Sequence, residues 1–133
     1  MVELHYINIL VASSKIYVTK STIPGAGRGV FAKQAIEKNE LIEKCPVIVL
    51  SKEELFIAAP TLISDYYFSW SERKFSVAIV FGYGSLFNHS KTPAAYFIPD
   101  IPSKTILFIS LRTIKKGEEI FIDYGEKLVN EKK

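Results

Sequence analysis

Apolar and polar positions alternate over short distances along this chain, and glycine, proline or a charged pair interrupts each run. "KIYVTKS", Lys15 to Ser21, combines β-branched and aromatic residues and predicts a strand. "IPGAGRG" follows, with Pro24 and three glycines, and predicts a turn. "VFAKQAIEKNELIEKCPVIVL" predicts further strands, with Lys38-Asn39 turning the chain between them. Ser51 to Glu54 reads S-x-x-E, a capping box, so a short helix is expected there, ending before Pro60. "DYYFSW" is aromatic and predicts a strand. "VAIVFGYGSLF" is apolar and interrupted by glycine, and its last two residues, Leu86-Phe87, predict a buried strand end. "TILFISLRTI" predicts a buried strand, Lys115-Lys116-Gly117 a turn, and "EEIFIDYG" a final strand. Many short strands, glycine turns and one or two short helices make a mostly-β domain. No internal repeat, low-complexity segment or linker is evident.

Composition narrows the picture. A chain of 133 residues, 48% hydrophobic, with nine Phe and seven Tyr, is globular and has one modest core. The net charge is +3 and no Lys/Arg block exceeds two residues, so nucleic acid binding is not indicated. Cys45 is the single cysteine, which excludes an internal disulfide and a Cys-rich zinc site. His5 and His89 share no ligand spacing with it, so no metal is expected. One free thiol fits an intracellular setting. No apolar stretch is long enough to cross a membrane, and "MVELHYINILVASS" has no basic segment ahead of its apolar run, so no secretory signal is expected.

Three motifs carry candidate chemistry. In Gly25-Ala26-Gly27-Arg28-Gly29, glycines permit positive φ and close approach to the backbone. The segment lacks the Gly-Lys-Ser/Thr of a P-loop and the spacing of a dinucleotide fingerprint, and by itself reads as a hairpin turn. In Asn88-His89-Ser90, the amide can donate and accept and the imidazole can orient a neighbour, although a turn asparagine and a satisfied core histidine are the plainer reading. Ser90 and His89 diverge on a strand and no G-x-S-x-G elbow exists, which disfavours a Ser-His hydrolase. Asp123-Tyr124-Gly125 puts a phenol at a strand end, where it either lines a channel or simply packs.

The joint order of these motifs resembles the SET domain of protein lysine methyltransferases. Matching stretches are "PGAGRGVFA", "YYF", "GYGSLFNHSKTP" and "IKKGEEIFIDYG", and the resemblance runs from about Val18 to Gly125. It is closest in kind to short stand-alone SET proteins of bacteria and of a chlorella virus. It implies a mostly-β fold of small curved sheets, β-clip-like, with a knot-like C-terminal crossing, and one domain over residues 1–133 without zinc-binding modules before or after it. It implies S-adenosylmethionine as cofactor and a lysine side chain of a protein or peptide, a histone or histone-like tail among them, as methyl acceptor. Residues carried over as cofactor-binding are Gly25, Ala26, Gly27, Arg28, Asn88 and His89. Tyr124 is carried over as the catalytic tyrosine. Tyr66, Tyr67, Phe97, Ile122 and Tyr124 are expected to line the lysine channel. Phe97 and Ile122 carry no hydroxyl, so room for di- or trimethylation is expected.

Two departures stand out. Ala94 follows Pro93 where the family usually has Asn, which puts the rigidity of this loop in question. No Cys follows "NHS" or "DYG", so a zinc-held lid is not expected. Residues 126–133 offer only Leu128 and Val129 as large apolar side chains. A second copy of the chain is therefore expected to supply a wall, with the "YINIL" run either at that contact or forming an added edge strand. Two alternatives remain open: a non-catalytic SET-fold module that binds a peptide, and an unrelated β adaptor whose motifs are only turns.

Overall fold

The structure is a computed structural model and describes Leu10 and residues 12–125. The "YINIL" run, apart from Leu10, and residues 126–133 lie outside the described residues.

Strands β1 (Ile16–Lys20) and β2 (Arg28–Ala32) pair antiparallel as a two-stranded sheet, in a register from Ile16↔Ala32 to Lys20↔Arg28. The glycine segment is the loop of this hairpin. Ser21 donates its backbone N–H to Gly27 O at 2.8 Å, and Gly25 and Gly27 take φ of 81° and 79°, which only glycine adopts at little cost.

The remaining strands are β3 (Leu41–Val49), β4 (Tyr67–Ser69), β5 (Val77–Val80), β6 (Asn88–His89), β7 (Ala95–Asp100), β8 (Thr105–Ser110) and β9 (Phe121–Ile122). They form a second sheet in the order β4-β5-β3-β8-β7-β9-β6. The nine residues of β3 serve two neighbours in turn, β8 from Leu41 to Pro46 and β5 from Val47 to Val49. Pro46 sits where the partner changes, so its missing N–H breaks neither ladder. Beneath the sheet Phe87, Phe108, Ile36, Ile106, Ile114 and Ile120 are fully or almost fully buried. The Phe87 and Phe108 rings stack with centroids 4.8 Å apart.

Helix α1 (Lys52–Ala58) starts at the capping box. Ser51 Oγ accepts the Glu54 N–H at 3.1 Å, and Glu54 Oε1 accepts the Ser51 N–H at 2.8 Å. Seven residues are too few for a helix stable by itself; this one is held by its cap, worth about 1 kcal/mol, and by Leu55, which packs with Tyr67 and Val77.

Some expected strands take other forms. Thr61 caps a 3-10 turn, Leu62–Tyr66, so "DYYFSW" divides between Tyr66 and Tyr67 and only its second part is strand. Gly82–Leu86 is a second 3-10 turn where a strand was expected to run into Phe87. The final strand shrinks to Phe121–Ile122. Strand β7 lies in a segment with no strand expectation; it carries Pro99, which its position tolerates because β9 pairs with β7 only at Ala95.

The C-terminal crossing comes from β9. It lies parallel to and between β6 and β7, which are consecutive in the chain. The loop joining them grips it from both sides: Ser90 N–H donates to Ile122 O at 3.0 Å and Ala94 N–H to Phe121 O at 3.1 Å.

Candidate active site

A narrow aromatic channel opens beside β4 and is lined by Asp65, Tyr66, Tyr67, Phe68, Ser85, Phe87, Phe97 and Tyr124. The 3-10 turn leaves Tyr66 at the rim, 40% exposed. Tyr67 is buried, and its hydroxyl donates to Leu55 O at 3.3 Å. Phe97 meets Phe68 edge to face, with centroids 5.0 Å apart. Tyr124 hydroxyl donates to Phe87 O at 2.8 Å, which fixes the phenol oxygen in the wall. Burial, with a smaller contribution from Tyr66, pushes the Tyr124 phenol above its ordinary range, so it stays protonated at neutral pH.

Four expected channel residues, Tyr66, Tyr67, Phe97 and Tyr124, are brought together here. Ile122 is not: it is fully buried in the core, in the ladder with His89 and Ala95, and does not line the channel. β9 ends at Ile122, so no strand alternation carries its side chain to the face that Tyr124 presents. Asp65, Phe68, Ser85 and Phe87 complete the wall. Phe68 was legible in "YYF"; Ser85 and Phe87 flank the end of a 3-10 turn that the apolar pattern does not reveal.

Behind Tyr124 the other motifs follow in sequence. His89 Nδ1 accepts the Tyr124 N–H at 2.9 Å, and the two rings lie 4.9 Å apart. An accepting Nδ1 puts the ring proton of a neutral imidazole on Nε2. Asn88 Nδ2 donates to Arg28 O at 2.9 Å and to Glu119 Oε2 at 3.1 Å. The amide thus fastens the strand after the glycine loop to the C-terminal segment. On Gly25 and Gly27, the position a Cβ would take has no protein atom within 4 Å, so the loop backbone faces open space.

Residues 27–125 match the SET domain family. A Schizosaccharomyces pombe protein named histone-lysine N-methyltransferase, H3 lysine-37 specific, is 41% identical over 103 residues, covering 77% of this chain and 69% of that protein. The chain belongs to the SET-domain family. A candidate histone methyltransferase of Plasmodium falciparum superposes with a TM-score of 0.68 at 35% identity, over 85% of this chain and 95% of its own. The Chaetomium thermophilum Polycomb Repressive Complex 2 bound to S-adenosylmethionine superposes with a TM-score of 0.74 over 91% of this chain and 16% of its own; at 21% identity this shows a shared fold.

In this SET domain the loop at Ala94 is held through its backbone. Ala94 is buried, its N–H is bonded to β9, and its carbonyl accepts the Leu111 N–H at 2.7 Å. Among the described residues, no group of three or more His, Cys, Asp or Glu side chains could hold a metal ion, and no helix is long and apolar enough to cross a membrane. Cys45 is buried, and burial with nearby Glu43 pushes its thiol up to about 12. That thiol is no nucleophile at neutral pH.

Proposed function

We propose that this SET domain transfers a methyl group from S-adenosylmethionine to the side-chain amine of a lysine in a protein. The observation that carries this reading is an aromatic channel ending on a protonated tyrosine, with that tyrosine's backbone tied to His89 beside Asn88 and the glycine loop. The open backbone face at Gly25, Ala26 and Gly27, with Arg28, Asn88 and His89 next to it, fits a cofactor in close contact with the chain. When bound, S-adenosylmethionine supplies an activated methyl group for in-line displacement.

The rest falls to the protein. A free lysine, with a pKa of about 10.4, is neutral in roughly one molecule in a few thousand at pH 7. Enclosure by six aromatic rings disfavours the ammonium form and so raises the neutral fraction. The ring faces still tolerate the cation as it enters. The Tyr124 oxygen, held by its own bond to Phe87 O, can accept an N–H from the amine and so aim the nitrogen lone pair along the channel axis. No covalent intermediate on the protein is needed.

The name of the S. pombe relative supports histone H3 as the substrate class, with lysine 37 as the first target to test. Such a substrate would place the protein inside the cell. Incubating the protein with methyl-labelled cofactor and recombinant H3, beside H3 in which lysine 37 is arginine, should label the first and spare the second. Equal labelling of both would move the target to another lysine, and no labelling of any protein in a lysate would favour a non-catalytic peptide-binding module. For the channel rim, where Leu62 and Ile63 are exposed next to Tyr66, a second copy is the proposed cover. Dimer mass by ultracentrifugation, with activity per molecule falling on dilution, supports this; a monomer of constant specific activity removes it.

A further inference from the structure

One carboxylate outside every expected site joins the cofactor-side motifs. Glu119 is buried, on the segment just before β9, and lies 97 residues along the chain from Thr22. Its Oε1 accepts the Thr22 N–H at 2.8 Å and the Thr22 hydroxyl at 2.5 Å. Its Oε2 accepts the Ser21 hydroxyl at 2.9 Å and Asn88 Nδ2 at 3.1 Å. Ser21 and Thr22 open the glycine loop, and Asn88 leads the His89–Tyr124 pair. Glu119 is therefore where the loop, the asparagine and the C-terminal segment meet. The position is built for it: a Cβ on Gly29 would overlap Glu119 Oε2.

We infer that Glu119 is a positioning residue for the cofactor site, holding the glycine loop and Asn88 in their binding arrangement through its four accepted hydrogen bonds. This rests on the reading of the site as an S-adenosylmethionine site. Four donors converge on one carboxylate, and none of them is a charged partner, so the interaction is directional and needs both oxygens as acceptors. Burial works against the charge, but the bonds from Thr22, Asn88 and Ser21 outweigh it and keep the carboxyl below its ordinary range. Ionised, it accepts on both arms. A glutamine of the same length turns one arm into a donor, facing either the Thr22 pair or the Ser21–Asn88 pair.

The test is Glu119→Gln in the full chain, with cofactor affinity read by calorimetry and turnover read separately. The expected result is a dissociation constant for S-adenosylmethionine raised about tenfold, with kcat at saturating cofactor and KM for the protein substrate each within about threefold of wild type. Simple destabilisation predicts something else: fewer binding sites per molecule, each with wild-type affinity. Glu118→Gln is the control, because Glu118 pairs outward with Arg112 and should leave the affinity unchanged. If Glu119→Gln does not fold, Thr22→Val removes one donor from the opposite side and should still weaken cofactor binding severalfold. Wild-type affinity in folded Glu119→Gln, or in Thr22→Val where that variant is needed, overturns the inference alone. A wild-type chain that binds no S-adenosylmethionine overturns the site reading beneath it.

Discussion

At residue scale, Phe97 is the proposed control on how many methyl groups are transferred. Its ring lines the channel and is fixed against Phe68, so the wall carries no hydroxyl at that point. A tyrosine there would add an oxygen that occupies space and can hold the amine by a hydrogen bond, which restricts a second and third transfer. Wild type should yield di- or trimethyl-lysine by mass spectrometry, and Phe97→Tyr should shift products towards monomethyl-lysine. Strict monomethylation by wild type would contradict this. Glu43 offers a pH-dependent test. It is 7% exposed, its Oε1 is buried with no hydrogen-bond partner, and Oε2 receives the Tyr83 N–H and the Cys45 thiol. Burial raises its carboxyl above the ordinary 4.5, and those two bonds offset this only in part. A carboxyl with a raised native pKa favours the fold when protonated, and that contribution is lost as pH rises from the unfolded value through the native one. Unfolding in denaturant at about pH 4 and about pH 8 should therefore show wild type losing stability relative to Glu43→Gln as pH rises. A difference independent of pH would show that Glu43 titrates normally.

At the scale of elements, the 3-10 turn before β6 decides where Asn88 and His89 stand. Gly84 lies within it, and a Cβ there would fall 2.6 Å from Phe108 Cε2, 2.7 Å from Val80 Cγ1 and 2.8 Å from Cys45 Sγ. Those atoms belong to the packed core, so either they or the turn must move. Gly84→Ala should cost about 1–3 kcal/mol of stability, read as a lower denaturation midpoint with an unchanged slope; a loss below about 0.5 kcal/mol would show that the turn is free to shift. Elements also separate what the sequence reveals from what it hides. Helix α1 and the turn at Asn39, with φ of 67°, were legible because Ser51/Glu54 and Lys38-Asn39 carry their own local chemistry. The 3-10 turn ending at Tyr66 was not, because "DYYF" has the aromatic content of a strand and only the Thr61 cap and the buried Ser64 fold it back.

Across the whole molecule, the candidate site draws on five segments: the hairpin loop, the first 3-10 turn running into β4, the residues around Asn88, Phe97 on β7, and the C-terminal stretch from Glu119 to Tyr124. The threading of β9 between β6 and β7 brings three of them together. Motif order made the family resemblance legible before any geometry, since glycine loop, "NHS" and "DYG" keep their order along the chain. The role of Glu119 was not legible, because its partners are 97 and 31 residues away and no periodicity links them. The burial of Ile122 has the same origin: it follows from the crossing, which no local pattern marks. Everything proposed here turns on methyl transfer in the channel that ends on Tyr124. The most direct measurement is single-turnover methyl transfer by Tyr124→Phe beside wild type, with cofactor affinity measured on both. Loss of the oxygen that orients the amine should lower the rate by at least about 10² while cofactor affinity stays within about threefold. A folded Tyr124→Phe that turns over at the wild-type rate would rule out a catalytic role for this phenol.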